Sequence, residues 1–119
     1  MMATIITLCG SSRFKDAFEI VAQHYTILGH VVITMGNYGH ADYPSGAKYL
    51  TNDNDNDGEV KRRLDMLHLQ KIDMADEIIV INVGGYIGSS TTREIAYATA
   101  AGKSVRYLFP QLTSAEEHQ

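Results

Sequence analysis

Tryptophan is absent from this chain, cysteine occurs once and proline twice in 119 residues. A lone Cys9 excludes an intrachain disulfide framework and a cysteine-based zinc cluster. Basic residues are also in the minority. Ten Lys+Arg against fourteen Asp+Glu give a net charge of −4, the wrong overall field for gripping a nucleic-acid polymer or an anionic membrane. No apolar run approaches the ~20 residues of a membrane span. The start of the chain lacks the basic flank and long apolar stretch of a signal peptide, so a cytoplasmic protein is expected. What remains is ordinary: 45% hydrophobic and 20% charged residues, which predicts one domain over residues 1–119 with a real core. The expected partner is something small, or another protein.

Ile5–Cys9 is a short apolar, β-branched run ending at Gly10, and it reads as a buried strand. Gly10-Ser11-Ser12 supplies a turn and a helix cap, with Ser12 the simplest capping residue. Phe14, Ala17, Phe18, Val21, Ala22, Tyr25 and Leu28 follow at spacings of three and four, one apolar face of a helix closed by Gly29. Val31–Met35 reads as a second strand. Residues 36–58 keep neither period and form a long loop, the kind of segment that is usually functional or mobile. Helical spacing returns over Glu59–Ala75. A third strand is predicted at Glu77–Val83, a Gly/Ser loop over Gly84–Thr91, a short helix at Thr92–Ala101 and a fourth strand at Ser104–Phe109, before a polar tail at 110–119. Apolar strands alternating with helices predict an α/β fold. It is a small doubly wound, flavodoxin- or Rossmann-like parallel sheet of about four strands, with order 2-1-3-4 and helices on both faces. Its switch point falls between strands one and three, at their C-terminal ends.

The loops at that point are Gly10–Arg13 and Gly84–Thr91. In the first, small residues admit a ligand to the backbone, free N–H groups attract an anion, and Ser11 and Arg13 add donors suited to phosphate. It matches neither the P-loop nor the dinucleotide pattern. In the second, Gly88, Ser89 and Ser90 lead into a helix. Thr91-x-x-Glu94 has the form of a capping box. A Glu94 carboxylate near a helix N-terminus is also expected to stay ionised and available beside the anion site. Cys9 reads as a small buried hydrophobe with a minor ligand-contact role. His40 and Tyr43 in the long loop, with Tyr38, Tyr49 and Tyr86, are candidates to contact base or sugar. Asp53-x-Asp55-x-Asp57-Gly58 begins like a calcium loop, but its twelfth position is Leu64 where a bidentate Glu is needed. The histidines have no metal-ligand spacing, and no metal site is expected.

Gly10-Ser11-x-Arg13 after a strand, Ala75-Asp76 before another, a Gly/Ser loop, and Glu94-Ile95-x-Tyr97-Ala98-x-x-x-Gly102-Lys103-x-Val105 together carry a resemblance. The chain resembles the nucleoside 2-deoxyribosyltransferase-like superfamily from Ile5 to about Leu108. Its Gly-Ser-x-Arg start is closer to the nucleoside 5′-monophosphate N-glycosidases than to the transferases. The resemblance implies that Glu94 attacks C1′ of the sugar, displaces the base and forms a glycosyl ester that water or a second base resolves. It implies phosphate binding by Gly10, Ser11 and Arg13, with Ser89 or Ser90 nearby. The family's polar residue six positions before the nucleophile is Gly88 here. For the residue that assists the base, the second helix offers Asp65 and His68.

The function expected from this is base–sugar cleavage of a nucleoside 5′-monophosphate or related nucleotide, with no metal or organic cofactor. The alternatives are a nucleotide-binding or sequestering module that uses the same pocket without catalysis, and base exchange by a deoxyribosyltransferase. A four-stranded sheet with an open site edge further predicts a homo-oligomer, in the first instance a dimer.

Overall fold

The computed structural model describes residues 2–38 and 58–110. His40 and Tyr43, like Tyr49 and the acidic run before Gly58, lie outside the described residues. Four strands form one parallel sheet: β1 (Ile5–Gly10), β2 (Val31–Ile33), β3 (Glu77–Ile81) and β4 (Ser104–Tyr107). Their order is β2-β1-β3-β4, as the strand pattern predicted. Three helices connect them: α1 (Lys15–Ile27), entered through a 3-10 turn at Ser12–Phe14, α2 (Glu59–Met74) and α3 (Ser89–Ala100).

The sheet is buried on both faces, and period-2 alternation divides its side chains between them. Ile6 and Leu8 of β1 and Ile79 and Ile81 of β3 pack with Phe18 and Val21 of α1. Cys9, Ile78 and Val80 point the other way, onto Ile72 of α2 and Ala98 of α3. A buried aliphatic side chain is worth about 1.5–3 kcal/mol, so these two layers set the position of every helix.

Polar ties fix the ends of the elements. The Thr7 hydroxyl donates to the Lys71 carbonyl at 2.8 Å. The Lys71 ammonium donates to the Thr34 and Met35 carbonyls at 2.9 and 3.0 Å, just past β2. Buried Asn82 clamps Phe109 by two hydrogen bonds, donating Nδ2–H to its carbonyl at 2.7 Å and accepting its N–H at 2.9 Å. Much of the motif behind the family resemblance has the same structural work. Asp76 accepts the Ile5 N–H at 2.8 Å. The Tyr97 hydroxyl donates to Asp73 at 2.8 Å. Lys103 donates to the Asp73 and Ala75 carbonyls at 3.1 and 2.7 Å. These bonds join the end of α2 to α3 and β4, so that part of the pattern reports on the fold.

Two local expectations are corrected. Ser11, not Ser12, is the N-cap of the first turn, with its oxygen accepting the Arg13 N–H at 3.3 Å. The third helix begins at Ser89, three residues before the predicted Thr92. Thr91 therefore lies inside the first turn, 3% exposed, and the cap position is Gly88, which makes no side-chain cap bond. The Thr91–Glu94 pair is no capping box.

Candidate active site

Reversal of strand order between β1 and β3 leaves a crevice at their C-terminal ends, where Gly10 is paired with Ile81. Gly10 is the only residue type that fits. A Cβ there would stand 2.9 Å from the Ile81 carbonyl oxygen and 3.3 Å from Phe18 Cζ. The chain therefore turns off β1 with its backbone at the floor of the crevice. Across from it, Gly84 and Gly85 take φ of 64° and 81° and carry the chain from β3 toward α3.

A cavity of about 550 Å³ opens there. It is lined by the Gly10–Arg13 loop, by Gly88 and the first turn of α3 (Ser89, Ser90, Thr91), by Lys61, Leu64, Asp65 and His68 of α2, and by Glu94. The structure thus brings Gly10, Ser11, Arg13, Asp65, His68, Gly88, Ser89, Ser90 and Glu94 to one cavity. Tyr86 lines it too, 42% exposed, with Arg13 stacked over its ring at 4.6 Å from the centroid and Phe14 edge-on at 6.0 Å. Tyr38 packs edge-on against Phe18 in the α1 layer, 5.6 Å between centroids, where it supports the core and is not on the cavity wall.

Donors gather on the loop side. The Arg13 guanidinium is exposed and is held by the Ser11 oxygen, which accepts Nε–H at 3.1 Å. The first turn of α3 has no side-chain cap, so its leading N–H groups remain available to an anion.

The Glu94 side chain, on the same cavity, is 14% exposed. The carboxyl is held at about 7 by burial first and by the Asp65 charge second, against partial relief from a Cys9 hydrogen bond, Arg93 and Lys61. Glu94 is more than a turn inside α3, past the reach of the helix-terminus charge, and burial raises its carboxyl above the ordinary range. Below Glu94, His68 Nε2 lies 3.8 Å from its Oε1 and 3.3 Å from Cys9 Sγ. Burial, then the Lys71 charge, lowers the imidazole to about 4, so His68 is neutral near pH 7. Burial pushes the Cys9 thiol far above its ordinary range, and the neighbouring Glu94 adds to this. Asp65, with the Lys61 ammonium at 2.9 Å, stands on the open side of Glu94's surroundings.

Cys9 is thus no direct contact on the cavity wall; it touches the site through His68 and Glu94. That cluster of Cys9, His68 and Glu94, with donor atoms all within 4.8 Å of one another, was missed in the sequence. Its only sign there was Cys9 at the end of a strand beside the switch point. Among the described residues no helix is long and apolar enough to cross a membrane. Neither the family models nor the curated proteins compared with this chain match it.

Proposed function

We propose that the protein is an N-glycosidase-type enzyme acting on a nucleoside 5′-monophosphate or a related nucleotide. The observation that carries this reading is one largely buried carboxyl, Glu94, raised to about 7 and lining the same cavity as Arg13 and the uncapped first turn of α3. Phosphate held by that loop and turn would bring the sugar of the same nucleotide into the cavity that Glu94 lines.

In its ionised form Glu94 attacks C1′. The C1′–N bond breaks, its electron pair leaves with the base, and the base takes up a proton. Water then attacks C1′, the ester bond breaks, Glu94 regains its carboxylate and a proton passes to solvent. His68 is neutral, buried and 3.8 Å from Glu94, which suits it to hold the carboxyl in place. Both residues line the cavity, and Asp65, with its side chain 43% exposed against 8% for His68, is the better placed of the two to meet the leaving base.

The test is incubation of the full chain with a panel of nucleosides and 5′-monophosphates, followed by chromatography for free base. Release from a monophosphate that disappears in Glu94→Gln, with nucleotide binding retained, is the expected result. Tight binding without release in the wild type would leave the protein a nucleotide-binding module. Release that requires an acceptor base would make it a transferase.

A further inference from the structure

The geometry points to a three-donor site for a divalent transition cation of the zinc class, formed by Cys9 Sγ, His68 Nε2 and a Glu94 carboxylate oxygen. These are one sulfur, one nitrogen and one oxygen, from β1, α2 and α3 respectively. Tetrahedral zinc with ligand bonds of about 2.0–2.3 Å has ligand–ligand edges of roughly 3.3–3.8 Å. The observed edges are 3.3 Å for sulfur to nitrogen and 3.8 Å for nitrogen to oxygen, and no edge exceeds 4.8 Å.

Further features support the assignment. The donors are buried, at 0% exposure for Cys9 and 7% for His68, so their separations are fixed by core packing. Only His68 and Glu94 reach the cavity wall. An ion therefore enters past Glu94 and keeps its fourth position toward the cavity, the open arrangement of reactive zinc sites. Mixed sulfur, nitrogen and oxygen donors favour zinc-class ions over magnesium or calcium, which take oxygen. Binding replaces the Cys9 thiol proton, which goes to solvent. The site stands independently of the glycosidase reading. If that reading also holds, the ion occupies the oxygen that would attack C1′, and zinc silences the enzyme.

The experiment is titration of chelator-stripped full-length protein with Co²⁺ as the probe, followed by absorbance. The expected result is a thiolate-to-cobalt charge-transfer band and tetrahedral visible bands that saturate at one equivalent, are abolished by Zn²⁺ and persist in excess Mg²⁺. Cys9→Ser should remove the charge-transfer band. Glu94→Gln should keep that band and weaken binding at least ~10-fold, since even outer-shell partners cost 10–100-fold. Folded wild type without the charge-transfer band overturns the assignment, as does Co²⁺ affinity that Glu94→Gln leaves unchanged. The wild-type spectrum and the Glu94→Gln titration decide the matter even if Cys9→Ser fails to fold. They also decide it whether or not any nucleotide is cleaved.

Discussion

Replacing Glu94 by Gln tests the central electrostatic feature of the site without any substrate. The folded chain holds this carboxyl at about 7 against an ordinary 4.5, chiefly through burial. The folded state therefore binds the Glu94 proton more tightly than the unfolded state. The resulting stability is fully present below pH 4.5 and is lost as pH rises through about 7. At about 1.4 kcal/mol per pH unit, that displacement is worth about 3 kcal/mol. His68 works in the opposite sense. Its folded value of about 4 lies below the ordinary 6.5, so its contribution is present above 6.5 and lost as pH falls through about 4. In the wild type the two slopes oppose each other over the shared window. Glutamine removes only the first, because His68 is depressed by burial and Lys71. Urea unfolding of both proteins in chelator, from about pH 4.5 to about pH 8, should show the variant gaining about 3 kcal/mol on the wild type as pH rises. A difference that stays flat across this range refutes the claim that Glu94 is buried beside Asp65.

Arg13→Ala should weaken phosphorylated ligands by roughly 10- to 100-fold, the worth of a charge-assisted bond. Calorimetry with a nucleoside and its monophosphate would check this, and equal loss for both refutes an anion role. Gly10→Ala should destabilise by about 1–3 kcal/mol, because its Cβ meets the β3 backbone and Phe18 rather than a flexible tip; denaturant midpoints read this directly. A homodimer is proposed from the exposed Ile20, Ile27 and Leu28 of α1 and its end and Met66 and Met74 of α2. Light scattering at micromolar concentration should give twice the chain mass, and a monomer removes the proposal.

The parallel sheet was legible because the apolar runs Ile5–Cys9 and Glu77–Val83 show little polar alternation, as strands covered on both faces do, and right-handed crossovers then gave the strand order. The start of α3 was not. Ser89, Ser90 and Thr91 are weak helix formers that read as loop, yet they sit in the first turn, where short polar residues are tolerated. Burial of Thr91 then overrides a formal match to a capping box. The Gly10–Arg13 loop could be placed from the switch point, and Glu94 from the helix start beside it together with the family resemblance. The Cys9–His68–Glu94 cluster could not, because it depends on how α2 and α3 are rotated about their axes, and Ile72 and Ala98 decide that by packing on Ile78 and Val80. The same packing sets the depth of the Glu94 carboxyl, which the pattern does not carry because it shows only a helix start nearby.

That depth ties stability to reactivity. On the proposed function the attacking carboxyl must be ionised, and Glu94 ionises only at a cost to the fold, so base release should climb with pH to a plateau above about 7. Asp65 is the second cause of that displacement after burial. Removing its charge in Asp65→Asn should move the rise in kcat/KM toward lower pH, though not to 4.5, because burial persists. The measurement is a pH profile of both proteins in chelator. A lower plateau with an unmoved rise would assign Asp65 to the leaving base and not to tuning Glu94. Activity that falls as pH increases through 7 would refute an ionised Glu94 as the attacking group.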